Sequence, residues 1–103
     1  MSKWMQVARV TDIPAGQMRP FTVDEEPIVV CNVDGAFYAF QDMCSHQELP
    51  LDGGELCGKV ITCPWHGAKF DVETGAALAM PAVAPIVTYP VKVEADQIFV
   101  EIP

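Results

Sequence analysis

Nine prolines and seven glycines are spread through the 103 residues so evenly that no stretch keeps a 3.6-residue apolar period. Proline removes a backbone donor and clashes with the preceding helical turn, and glycine carries a large entropic cost of ordering. Between these breakers lie short runs rich in β-branched and aromatic residues, which read as strands. They fall at 4–10 ("WMQVARV"), 27–33, 36–40, 59–63, 69–72, 87–95 and 97–102. Asp34-Gly35 separates two of these runs and is a strong hairpin signal, because a tight primed turn needs positive φ. A second hairpin is expected across Asp96. Residues 11–14 carry at most one helical turn, and 80–85 ("MPAVAP") is too rich in proline for a central strand. The pattern predicts an all-β sandwich or barrel, built as a single domain over 1–103.

Six basic against fourteen acidic residues give a formal charge of −8. There is no basic footprint for a phosphate backbone, so no nucleic-acid partner is expected. An acidic surface suits brief encounters with a positively charged partner, and it also simply aids solubility. The N-terminal residues lack the pattern of a signal peptide, and no apolar run approaches the ~20 residues needed to span a bilayer. A soluble cytoplasmic protein is expected, with no membrane partner. Structural disulfides are rare in such a compartment, so four cysteines point to metal binding or to buried thiols.

Two cysteines and two histidines recur as Cys44-x-His46 and Cys63-x-x-His66. Thiolate and imidazole together suit zinc, copper or iron–sulfur centres, whereas calcium or magnesium would call for carboxylates. Zinc fingers usually present a cysteine pair and then a histidine pair. Here each loop supplies one of each. A two-iron, two-sulfide cluster lying between two such loops can take both thiolates on one iron and both imidazoles on the other, which is the demand of a Rieske centre. A zinc-held structural module remains the competing reading at this point.

Cys44-Ser45-His46 and then Cys63-Pro64-Trp65-His66-Gly67 resemble the Rieske motif C-x-H…C-x-x-H-G, and the likeness extends over nearly the whole chain. The chain is similar to the small Rieske-type ferredoxins of bacterial aromatic ring-hydroxylating oxygenase systems. The resemblance implies a Rieske-type antiparallel β-sandwich or barrel with a two-loop cluster-binding subdomain. Its cluster loops would lie at about 43–50 and 62–70, with a proline loop at about 80–86. It implies one [2Fe-2S] cluster, with Cys44 and Cys63 on the inner iron and His46 and His66 on the outer, more exposed one. High-potential respiratory relatives join their two loops by a disulfide, and the matching positions here are Leu49 and Trp65. Those relatives also donate two hydroxyls to cluster sulfur after the second loop, where this chain has Gly67-Ala68-Lys69-Phe70. Fewer donors leave the reduced state less stabilised, so a potential near the low end of the range, roughly −150 mV, is expected. Exposed outer ring nitrogens on His46 and His66 should lose protons at high pH, so the potential should fall there.

The remaining residues have more ordinary readings. Cys31 and Cys57 are expected to be buried spare thiols and not a disulfide. Trp65 is read as shielding the cluster, Pro81 and Pro85 as part of a lid, and Gln47 and Glu48 as docking surface or solvated loop. Lys69 is expected on the surface and Trp4 in the core or at its rim. No nucleophile–base pair, phosphate cradle or mononuclear iron triad stands out. With all four cluster positions filled by protein, the chain reads as an electron carrier and not as an enzyme. The resemblance implies that it passes single electrons from an NAD(P)H-dependent flavoprotein ferredoxin reductase to a terminal oxygenase in aromatic hydrocarbon catabolism. Weak, transient contacts predict a monomer. The alternatives are a Rieske-like small subunit of an assimilatory nitrite reductase, or a ferredoxin for another redox enzyme.

Overall fold

The computed structural model describes residues 3–43, 53–64, 67–79 and 85–102. They form three antiparallel sheets. A terminal sheet has the order β1-β11-β10, from β1 (Lys3–Arg9), β10 (Val91–Glu94) and β11 (Gln97–Ile102). A central sheet has the order β2-β3-β4-β9, from β2 (Met18–Val23), β3 (Glu26–Val33), β4 (Ala36–Gln41) and β9 (Thr88–Tyr89). A loop sheet has the order β5-β6-β7-β8, from β5 (Glu55–Cys57), β6 (Val60–Thr62), β7 (Lys69–Asp71) and β8 (Ala77–Ala79). The only helical turn among the described residues is a 3₁₀ turn at Val10–Asp12. The all-β, antiparallel expectation therefore holds.

Strand β3 explains the layering. Its centre, Ile28-Val29-Val30-Cys31, is fully buried, so it has no solvent face. Side chains alternate across a strand. Ile28 and Val30 accordingly join a core with Ile98, Val100 and Ile102 of β11. Val29 and Cys31 join a separate core with Phe40, Ile61 and Phe70. The central sheet is thus packed on one face by the terminal sheet and on the other by the loop sheet. Each fully buried Val or Ile contributes roughly 1.5–3 kcal/mol of transfer free energy, which is why a continuous apolar run selects this middle position.

Turn chemistry sets the strand ends. Asp34 and Gly35 have φ of 52° and 93°, and Ala95 and Asp96 have 49° and 64°, as both expected hairpins require. A third turn of the same kind, at Asp24 and Glu25 (φ 52° and 69°), joins β2 to β3. Asn32, buried at the end of β3, braces the Asp34-Gly35 turn. Its Nδ2 donates to the Ile13 carbonyl at 2.8 Å and its Oδ1 accepts from the Gly35 amide at 2.7 Å.

Three readings from sequence are corrected here. The run 87–95 is two strands. Pro90 cannot donate to a ladder, and the chain there leaves β4 of the central sheet for β11 of the terminal sheet. Strand β2 was not anticipated because Pro20 lies within it; β2 is an edge strand, where a missing donor is tolerated. Cys57 is exposed and not buried, since it ends a short edge strand, while Cys31 is buried as expected; neither is in a disulfide. Trp4 is 38% exposed on the outer face of the terminal sheet, with Lys92 Nζ 4.6 Å from its ring, so it belongs to the rim and not to the core.

Candidate metal centre

Strand β6 delivers Cys63, and β7 begins just after Ala68. The loop between them is closed by two backbone bonds. The Cys63 amide donates to the Ala68 carbonyl at 2.7 Å, and the Gly67 amide donates to the Cys63 carbonyl at 3.1 Å. Gly67 sits at φ 72°, a conformation that ends a single chain turn without a β-carbon clash. Cys63 is 2% exposed, against Ile61, Ala68 and Phe70, whereas Pro64 and Gly67 face solvent. The described part of the loop thus has an apolar root holding a thiol, with Pro64 and Gly67 exposed beyond it.

The first loop leaves β4. The Gln41 amide donates to the Val87 carbonyl at 2.8 Å, and the Asp42 amide to the Pro27 carbonyl at 2.9 Å, so the loop starts from a pinned base. The chain returns at Gly53. A β-carbon there would lie 3.9 Å from Pro64 Cγ, an ordinary contact, so the returning segment runs beside the second loop.

Of the expected ligands, Cys63 is described, while Cys44, His46 and His66 lie outside the described residues, as do Gln47, Glu48, Leu49, Trp65 and Pro81. Among the described residues no group of three or more His, Cys, Asp or Glu side chains is placed to hold a metal ion. Pro85 is described and exposed, and Lys69 is exposed on β7. What is on view is compatible with that donor set: a buried thiol at the root of a loop, with the returning segment at Gly53 beside Pro64.

The charges nearby are satisfied locally. Lys59 Nζ lies 2.9 Å from Glu73 Oε1 and 5.9 Å from the centre of the Tyr38 ring. The Glu73 hydrogen bond and charge raise the Lys59 pKa above its ordinary value. Both side chains are about half exposed, so the pair is a weak clamp. Cys31 shares the core of Cys63, and burial pushes its thiol up to about 12. It stays protonated at neutral pH and is a poor rival for iron, because the thiolate is the ligand form.

Residues 3–90 match the model of the Rieske [2Fe-2S] domain. The chain belongs to the Rieske [2Fe-2S] family. It is 46% identical over 91 residues to the ferredoxin component of biphenyl 2,3-dioxygenase from Rhodococcus jostii, covering 88% of this chain and 85% of that one. It superposes on the Sphingomonas yanoikuyae B1 ferredoxin with a TM-score of 0.91 at 32% identity, covering 98% and 100% of the two chains. It also matches a chain in a complex of reduced oxygenase and oxidised ferredoxin of carbazole 1,9a-dioxygenase, with a TM-score of 0.89 at 35% identity, covering 94% and 91%. This Rieske ferredoxin therefore carries one Rieske-type [2Fe-2S] cluster and works as an electron-transfer component of aromatic dioxygenase systems, not as a catalyst in its own right. No helix among its described residues is long and apolar enough to cross a membrane.

Sequence reading missed the turn that follows β7. Asp71 Oδ1 accepts from the Glu73 amide at 2.8 Å and the Thr74 amide at 3.2 Å, and Gly75 closes the turn. The signal was there in Asp71-Val72-Glu73-Thr74-Gly75, since Asp and Thr side chains bond backbone amides two or three residues on.

Proposed function

We propose that Cys44, His46, Cys63 and His66 hold the cluster, with the two cysteines inside and the two histidines at the exposed end. One observation supports this reading: the 63–68 loop holds a buried thiol, Cys63, at its root, while its next described residues, Pro64 and Gly67, are exposed. When bound, the cluster supplies one-electron redox chemistry. The protein's part is to keep water from the Cys63 end through Ile61, Ala68 and Phe70, and to present the far end to partners. Electron exchange favours a short path, so the exposed end is also the docking tip. The Rieske domain spans 1–103, with its loops at about 43–50, 62–70 and 80–86.

On this reading the chain accepts single electrons from an NAD(P)H-dependent flavoprotein reductase and delivers them to a terminal ring-hydroxylating oxygenase. It acts as a monomer in the cytoplasm, at a potential near roughly −150 mV. The complex of oxygenase and ferredoxin among the similar structures supports the oxygenase arm. Reconstitution with a reductase and an oxygenase, following substrate-dependent NADH consumption, tests it. Activity should require this chain and vanish in Cys63→Ser. The ligand set is tested separately: Cys63→Ser and His66→Cys should abolish or convert the Rieske EPR signal. An unchanged spectrum in either variant overturns the assignment.

A further inference from the structure

The two proposed loops rise from different sheets, the first from β4 of the central sheet and the second between β6 and β7 of the loop sheet. Ladder bonds within one sheet do not set where the other sheet's loop sits. Residues 85–88 touch both bases. On the central side, the Val87 carbonyl accepts from Gln41 at 2.8 Å, and Thr88 pairs with Phe40. On the loop side, the Ile86 amide donates to the Gly75 carbonyl at 2.9 Å, and the Gly75 amide donates to the Asp71 carbonyl, at the end of β7, at 2.7 Å. The Asp71 amide in turn donates to the Ala76 carbonyl at 2.9 Å. A continuous backbone relay therefore runs from Gln41 through Val87, Ile86 and Gly75 to Asp71.

Gly75 is the tightest point of that relay. It is buried, its φ is 82°, and a β-carbon there would overlap the Ile86 carbonyl oxygen and lie 3.1 Å from Thr88 Cγ2. Backbone cannot step aside as a flexible side-chain end can. Gly16 has the same φ of 82° with nothing within 4 Å, and Gly58, at φ 57° in the loop sheet, also has open space. Those two need only conformational freedom. Gly75 needs that freedom and the absence of volume together.

We propose that Gly75 is a positioning residue for the cluster: its missing side chain sets how closely the loop sheet approaches the 85–88 segment, and through it the gap between the two ligand loops. The proposal rests on the four-ligand reading above. It predicts that filling Gly75 disturbs the cluster beyond the cost of backbone strain, which Gly16 and Gly58 share.

The test compares Gly75→Ala, Gly16→Ala and Gly58→Ala in the full chain purified with its cluster. All three should unfold at lower denaturant. Gly16→Ala and Gly58→Ala should keep the wild-type EPR g-values, visible circular dichroism and midpoint potential. Gly75→Ala should shift all three and shorten the cluster's half-life roughly tenfold, the lower end of what losing an outer support costs a metal site. Wild-type spectra, potential and half-life in Gly75→Ala would overturn the proposal, as would equal shifts in the two controls. Should Gly75→Ala not fold, hydrogen exchange in the wild type decides. The amides of Gln41, Gly75 and Ile86 should lose protection together when the cluster is removed; unchanged protection at these sites rejects the idea. Cys63→Ser separates the two levels. If it loses the signal while Gly75→Ala is normal, only the positioning role fails. If it keeps the signal, the ligand reading falls and this inference with it.

Discussion

The two faces of the central sheet are built by different means. On one side β1 and β11 pair along nearly their whole length, from Lys3 opposite Ile102 to Arg9 opposite Gln97, around a core of Ile28, Val30, Ile98 and Val100. On the other side the four strands β5 to β8 are three residues each, and the loop between β6 and β7 carries one of the two proposed ligand pairs. Long ladders with continuous apolar burial stabilise themselves. Short strands leave more of the order to backbone bonds in turns, to side chains such as Asp71 and, on the proposed ligand set, to the cluster. The terminal face is thus a scaffold held by long pairing and continuous burial, while on the proposed ligand set the loop face is held partly by the cluster.

Core truncations should break this comparison most sharply. Ile98→Ala should cost about 2–5 kcal/mol and Phe70→Ala about 3–5 kcal/mol by urea unfolding. Their effects on the cluster should differ. Ile98→Ala should retain iron and labile sulfide in each folded molecule, whereas Phe70→Ala, which opens the apolar wall beside Cys63, should lose them faster. Equal cluster lifetimes in the two variants would mean that the faces are not separate.

A smaller effect comes from alkali. Cys31 lies in the loop-side core with its thiol pKa raised from 9.0 to about 12, chiefly by burial. A raised folded-state value means the folded chain holds its proton longer than the unfolded chain does. The associated stability is complete below pH 9 and drains away toward pH 12, by up to about 1.4 kcal/mol per pH unit. Cys31→Val should flatten that decline in a pH series of denaturation midpoints. A slope identical to wild type would place the alkaline sensitivity elsewhere. Tyr89, raised first by burial and then by Glu26, adds a weaker decline of the same sign.

The smallest expected effect lies on the scaffold side. Ala95 holds φ 49° in the turn between β10 and β11 without being glycine. Ala95→Gly removes left-handed strain of roughly 1–2 kcal/mol, partly offset by the greater freedom of glycine in the unfolded chain. A net gain of about 0.5–1 kcal/mol is expected, with no change in the EPR spectrum. A loss of stability would show that the strain is absent.

Local chemistry made much of this legible in advance. Asp34-Gly35 announced its turn because φ is a property of the two residues themselves. The β11 run at 97–102 was read to the residue because its alternation is uninterrupted. The Cys-His spacing pointed to a mixed thiolate and imidazole donor set, which remains the proposal, since ligand type is a property of side chains. Cys57 was misjudged because apolar character does not reveal that a strand is short and at an edge. Strand β2 was missed because Pro20 is forbidden in a central strand and harmless in an edge one, a distinction that only neighbours make.

The sequence by itself thus determined the strand class and the hairpin turns and suggested the donor set, all matters of single residues or adjacent pairs. Tertiary structure alone decided that Ile28 and Val29 feed opposite cores, that Pro90 carries the chain from one sheet to another, and that Gly75 meets Ile86. Those facts come from which surfaces bury one another across long separations, and close packing between distant segments leaves no trace in either segment read alone.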